Sequence, residues 1–209
     1  MAFIDFSRGE IHCKIVYYGP GLGGKTTNLR YIYSRTSNKI KGQLISIDTG
    51  GDRTLFFDFL SLNLGTVGDL RIRIQLYTVP GQVQYEATRK LVLKGVDGVV
   101  FVADSMKVQR ERNIESLKNL SHNLEEMGMK IETLPLVMQY NKRDLERTNI
   151  PILSVEEMER DLNAELHVPS FSASALRGWG VFDTLREISK IVVKDVSRKI
   201  LLERKEEGA

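Results

Sequence analysis

Gly19-Pro20-Gly21-Leu22-Gly23-Gly24-Lys25-Thr26 is the stretch of this chain whose residue types and spacing prescribe a chemistry. It fits G-x-x-x-x-G-K-[ST]. In that pattern glycines let successive backbone N–H groups converge on phosphate oxygens, and the helix that follows adds the partial positive charge of its N-terminus. Lys25 is placed to reach the β- and γ-phosphates of a nucleotide. The Thr26 hydroxyl is placed to ligate Mg2+, a hard cation that takes oxygen ligands and binds together with substrate phosphates. The backbone of Gly19, Gly21, Leu22, Gly23, Gly24 and Thr27 completes the expected phosphate cradle.

A second constellation, Asn141-Lys142-Arg143-Asp144, follows the apolar run 134–140 and fits N-K-x-D. Guanine presents an N1–H and an exocyclic amine side by side, and one carboxylate accepts from both, which assigns that part to Asp144. Adenine lacks the donor pair, so an adenine nucleotide would leave the carboxylate desolvated and unpaired. Asn141 is expected to bond the far edge of the base and tie strands together, with the Lys142 stem along the ring plane. Ser172-Ala173-Ser174, after the last apolar run, is expected to give backbone N–H groups to the guanine carbonyl. An ordinary polar loop would read the same way.

These residues need a frame that brings distant segments to one edge. Residues 11–18, 99–103 and 134–140 are short apolar runs, as expected of parallel strands buried on both faces. Residues 27–34 and 85–94 read as helices. In the crossover between the second and third runs, Ile114, Leu117, Leu120, Leu124 and Met127 recur at helical spacing. Ser154 with Glu157 three residues later reads as a capping box opening another helix. Residues 168–172 give a last strand, and Val181, Leu185, Ile188 and Val192 line one stripe of the last helix. Residues 54–64 and 70–79 read as a hairpin joined by a five-residue loop at 65–69. Residues 35–53 show no sustained period and are expected to be a mobile loop with a short extended piece at 44–47. The expected fold is α/β: a mostly parallel open sheet with one antiparallel edge strand and helices on both faces, ligands lying beyond the carboxyl ends of the strands.

With 209 residues, 42% of them hydrophobic, the chain suffices for one core, and a single domain over 1–209 is expected, its segment 195–209 a frayed helix or tail. Thirty Lys plus Arg against 27 Asp plus Glu leave a net charge of +3, interspersed, with no electrostatic footprint for nucleic acid. Cys13, the one cysteine, excludes an internal disulfide and fits a reducing, cytoplasmic setting as a buried strand residue. The first eight residues do not read as a signal peptide. No run approaches a membrane span, and neither terminus carries a lipidation signal, so no direct membrane anchor is expected.

Taken together the chain resembles the small Ras-like GTPases, and most closely the MglA family, bacterial polarity GTPases of gliding and twitching motility. Besides the two motifs above, the resemblance rests on residues 14–21, 52–59, 77–82 and 95–104, and it covers 3–193. It implies a GTP/GDP switch with Mg2+ as cofactor, in which the loop through Thr54 is switch I and residues 80–89 are switch II. Thr54 would join Thr26 on the metal. Gly81 would donate its N–H to the γ-phosphate, Gln82 would orient the attacking water, and Arg53 would be an arginine finger carried in the chain itself. It further implies a dimeric, roadblock-type activating partner of the MglB kind, meeting the switch loops and the strand from Phe56 to Phe59. Downstream motility and polarity effectors and recruitment to a cell pole complete the expectation.

One position departs from the wider Ras pattern. D-x-x-G-Q is usual there, and this chain has Thr78, which removes a carboxylate standing behind the metal ligands. Asp52 is the candidate replacement, or else a turn residue. The aromatic stripe Phe56, Phe57 and Phe59 reads as core or as interface. Two other readings stay open: a nucleotide-loaded scaffold that hydrolyses little, which Thr78 favours and Gln82 opposes, and a P-loop kinase, which would need ATP and a lid.

Overall fold

The computed structural model describes residues 3–5, 8–48, 56–67 and 69–207. Asp52, Arg53 and Thr54 lie outside them. Eight strands form one sheet: β1 (Phe3–Asp5), β2 (Glu10–Tyr18), β3 (Lys41–Asp48), β4 (Phe56–Val67), β5 (Leu70–Thr78), β6 (Gly98–Asp104), β7 (Leu136–Asn141) and β8 (Ser170–Ser172). Their order is β3-β4-β5-β2-β6-β7-β8, with β1 paired to β2. β5, β2, β6, β7 and β8 run parallel.

Alternation along β2 shows why this sheet is covered on both sides. Ile11, Cys13, Ile15 and Tyr17 belong to one core with Leu29 and Ile32 of α1 (Lys25–Arg35) and Val181, Leu185, Ile188 and Val192 of α5 (Val181–Glu207). Val16 and Tyr18 face the other core, with Val92 and Leu93 of α2 (Glu86–Leu93), Leu120 and Leu124 of α3 (Arg110–Glu125), and Met158 and Leu162 of α4 (Val155–Leu162). Each buried aliphatic of this kind stabilises by roughly 1.5–3 kcal/mol. Ser154 and Glu157 make both bonds of the capping box ahead of α4. The Cys13 thiol is fully buried, and desolvation, with the Asp97 charge a smaller cause, pushes it up to about 12.

Four expectations change. The loop expected at 35–53 contains strand β3, which lengthens the extended piece expected at 44–47 and lies antiparallel to β4 with Ser46 opposite Asp58, so β4, which on that side alone runs against the parallel strands, is an inner strand rather than the edge. Only 44–47 of β3 was expected to be extended, because at an edge most of the strand stays wet, residues 42–43 and 45–46 being exposed. The loop expected at 65–69 is tighter: a register shift between Asn63 and Thr66 lets Val67 pair with Leu70. β1, antiparallel to β2, was not expected at all. At the other end α5 is helical to Glu207, and Val196, within the segment expected to fray, is buried.

The parallel strands end together. Tyr17 pairs with Thr78, Tyr18 with Phe101, Asp104 with Asn141, and Tyr140 with Ser172. The chemistry-bearing segments after β2, β5, β7 and β8 therefore leave from one edge, the place where open α/β sheets bind ligands.

Candidate nucleotide site

The glycine loop turns directly from β2 into α1. Asn28 is the first residue to close a helical bond, its N–H reaching the Gly24 carbonyl at 3.0 Å, so the amides before it are left without helical partners. Gly24 caps α1 with no side-chain bond and no acidic residue in the first turn. Its φ is 100°, and a Cβ there would stand 2.2 Å from the Asn141 amide nitrogen, so only glycine fits. Gly23 differs from its neighbours, because its N–H turns back onto the Pro20 carbonyl at 3.2 Å.

Lys25 is 6% exposed, and its Nζ donates to the carbonyls of Gly19 at 2.8 Å and Pro20 at 2.6 Å. Burial, and then the charge of Arg89, push its ammonium down to about 7. A buried cation held only by carbonyls calls for an anion beside it. The end of β5 closes on the same loop. A Cβ on Gly81 would lie 2.3 Å from the Gly21 nitrogen and the Pro20 carbonyl carbon, so the turn after β5 starts in backbone contact with the glycine loop. Gln82 is exposed, and its carbonyl accepts from the buried Arg89 guanidinium, which also binds Glu86. A cavity of about 610 Å3 opens here, lined by Gly21, Leu22, Gly81, Gln82, Arg89 and Arg112 among others.

On the metal side, Thr26 donates its hydroxyl to Asp58 Oδ2 at 2.6 Å. The residues present, a hydroxyl and a carboxylate, are hard oxygen donors and fit Mg2+, and of the two expected ligands Thr26 is the one within the described residues. Thr54 and Arg53, the other expected members, fall outside the described residues, as does Asp52. Phe57 and Phe59 are half-buried against Tyr77, ring centres 6.0 and 4.9 Å away, so the stripe is neither sealed core nor free surface.

At the ends of β7 and β8 a hollow of about 260 Å3 is lined by Gly24, Thr27, Asn141, Asp144, Ala175 and Leu176 among others. Asn141 is buried and ties its walls together. Its amide donates to the Gly23 carbonyl at 2.7 Å, and its Oδ1 accepts from the Ala175 N–H at 2.8 Å. Lys142, at φ 69°, sends its Nζ to the fully buried Asp104 at 2.6 Å. Asp144 accepts no hydrogen bond among the described residues, and so faces the hollow with its oxygens uncommitted.

The segment expected to serve the base does not reach the hollow. The Ala173 N–H is spent on the Tyr140 carbonyl at 2.8 Å, and the Ser174 N–H on the Trp179 carbonyl at 3.0 Å. Ser172 lies in β8, and none of Ser172, Ala173 and Ser174 lines the hollow. Ala175 and Leu176 do. The signal was present in the sequence, since Ser-Ala occurs at 172–173 and again at 174–175.

A glycine loop seated on a buried lysine and pressed by the end of β5 shares its edge with a carboxylate-bearing hollow, which is the layout of a P-loop nucleotide protein. Residues 14–194 match the profile of the Ras family, so the chain belongs to that family and is a small GTP hydrolase. Over 198 residues it is 55% identical to the Mutual gliding-motility protein MglA of Myxococcus xanthus, covering 95% of this chain and 99% of that protein. Ras-related protein Rab7 of Pisum sativum is 24% identical over 194 residues, 90% of this chain and 85% of that protein. ADP-ribosylation factor-related protein 1 of Rattus norvegicus is 26% identical over 187 residues, 88% and 87% of the two. Among the described residues no helix is long and apolar enough to cross a membrane.

Proposed function

We propose that this chain is a guanine-nucleotide switch for gliding motility and cell polarity, turned off by hydrolysis that a dimeric roadblock-type partner stimulates. The observation that carries it is the meeting, at one sheet edge, of the Lys25 loop, the Gly81–Gln82 turn and the Asp144 hollow. The 55% identity to a gliding-motility protein supplies the process.

The base enters the hollow, where Asp144 accepts from its N1–H and amine, and the loop at Ala175 and Leu176 faces its carbonyl. Lys25 and the amides of the first turn of α1 hold the phosphates. Thr26 and Thr54 would hold Mg2+, which would supply positive charge to the phosphates. Gly81 gives its N–H to the γ-phosphate, Gln82 orients the attacking water, and Arg53 neutralises charge that develops in the transition state. The partner acts on the switch loops and the strand at Phe57 and Phe59, placing Arg53 rather than donating a side chain. The protein acts in the cytoplasm and reaches a pole through partners.

Phosphate release in single turnover, from GTP and from ATP, with and without a roadblock-type protein, tests this. Rapid release from GTP only with the partner is expected. Retention of GTP without release under both conditions would make the chain a nucleotide-loaded scaffold, and release from ATP at the same rate would overturn the base assignment.

A further inference from the structure

Three fully buried polar side chains cross the core that α1 and α5 make with the sheet: Asn28 on α1, Gln139 on β7 and Thr184 on α5. Their surroundings are apolar. Leu29, Val137 and Leu185, beside them in sequence, belong to that core, as does Val102 of β6, which pairs with Gln139 in the sheet. The three side chains form one chain of hydrogen bonds. Asn28 Nδ2 donates to Gln139 Oε1 at 2.7 Å, Gln139 Nε2 donates to Thr184 Oγ1 at 3.0 Å, and Thr184 Oγ1 donates to the Gly180 carbonyl at 2.7 Å. At the other end Asn28 Nδ2 donates a second time, to the Gly24 carbonyl at 3.0 Å. Asn28 Oδ1 is buried with no hydrogen-bond partner among the described residues. A leucine of nearly the same shape would bring no unpaired polar atom of its own, so the amide sits here at a cost to stability.

The bond to Gly24 gives that cost a purpose. The Gly24 carbonyl and the Lys25 N–H belong to one planar peptide and point in opposite directions. The carbonyl points along α1, where it accepts from the Asn28 N–H and from Asn28 Nδ2, each at 3.0 Å. The Lys25 N–H therefore points out of the helix start, the side from which a phosphate approaches, and as a first-turn amide it has no helical acceptor. Gly24, at φ 100°, has no side chain to hold the peptide that follows it. Two donors on its carbonyl fix the plane of that peptide, and they polarise it, which strengthens the N–H on the far side as a donor.

We propose that Asn28 is a positioning residue for phosphate binding, acting through the Gly24–Lys25 peptide, and that Gln139 and Thr184 hold its amide in place. The aim of a phosphate-binding N–H is thereby set from α5, through β7, to the first turn of α1.

This role presupposes the phosphate site at the glycine loop, and the test separates the two. Release of a fluorescent guanosine diphosphate from full-length protein, chased with unlabelled nucleotide at saturating Mg2+, is followed for wild type, Asn28→Leu, Gln139→Leu and Thr184→Val. Melting temperature without nucleotide is measured beside it. Asn28→Leu, which removes the second donor from the Gly24 carbonyl, should release roughly 3–10-fold faster. Gln139→Leu keeps that donor but frees it to turn, and should accelerate release less, with Thr184→Val least of all. Melting should follow a different order: Gln139→Leu should fall furthest, because it strips a partner from both Asn28 and Thr184, whereas Asn28→Leu strips one only from Gln139. The ratio of GTP to XTP affinity should stay at the wild-type value in all three. Wild-type release from Asn28→Leu would overturn the proposal, and so would release rates that simply track the melting temperatures or a changed GTP-to-XTP ratio. If Asn28→Leu does not fold, wild-type release from Gln139→Leu overturns it instead. Failure of the wild type to hold the labelled nucleotide at all would remove the functional reading beneath it.

Discussion

The two halves of the site are held in different ways. Around the hollow, Asn141 bonds the backbone on both sides, at Gly23 and at Ala175, and the Lys142 ammonium already has the Asp104 carboxylate. On the phosphate side the buried charges have no such closure: Lys25 rests on two carbonyls and Asp58 on three hydroxyls. The base half is set before any ligand arrives, so it selects. The phosphate half is electrostatically incomplete, so its conformation follows whatever charge is bound, as a switch requires.

Variants that remove catalytic charge should break the phosphate half alone, with the largest effects. Arg53→Ala, measured in single turnover with saturating roadblock-type partner, should lose about 10³–10⁵ in rate while binding GTP nearly as wild type. Gln82→Ala should lose about 10²–10⁴. Full stimulation of Arg53→Ala would mean that the positive charge comes from the partner.

The base half should break in selectivity rather than in rate. Asp144→Asn should exchange guanine for xanthine preference, whose 2-carbonyl accepts from the new amide, a swing of about 10⁴ in relative affinity. Competition of GTP, XTP and ATP against a labelled nucleotide reads it directly. Asn141→Ala should cost stability as well, because the Ala175 N–H and the Gly23 carbonyl each lose a partner, about 1–3 kcal/mol for each group left buried. Chemical denaturation without nucleotide should show that loss, whereas Arg53→Ala and Gln82→Ala should denature as wild type does.

The two halves were also unequally legible in the sequence. Motifs of fixed spacing carry the glycine loop and Asn141 to Asp144, and buried runs with helical stripes between them carry the parallel sheet, because burial on both faces leaves continuous apolar segments. Asp58 was hidden inside a stripe read for its aromatics. Its alternation with Leu60 and Leu62, which points a charge inward, was the available sign. Ala175 was missed within a Ser-Ala repeat, which only the lining of the hollow resolves, since Ala175 and Leu176 reach it and residues 172–174 do not. β3 was legible only as a short extended piece at 44–47, since an exposed edge strand does not alternate between buried and wet residues.

The finest test of the division uses Gly21, which touches the phosphate half only. A Cβ on Gly21 would stand 3.7 Å from the Gly81 carbonyl group and 3.8 Å from Gln82 Cγ, ordinary contact distances, and Gly21 is not among the glycines with positive φ. Alanine therefore fits without strain. Gly21→Ala should change nucleotide affinity by no more than about 0.5 kcal/mol. Valine places two more methyls toward Gly81 and Gln82, and overpacking of that size costs about 1–3 kcal/mol. If that strain falls on the arrangement of Gln82 needed for water attack, Gly21→Val should slow hydrolysis roughly 10–100-fold and leave the GTP-to-XTP preference untouched. Equilibrium binding of both nucleotides and single-turnover rates for the two variants check the gradation. A loss of guanine preference in Gly21→Val would show that the halves are mechanically joined, with the Asn141 bond to the Gly23 carbonyl as the link.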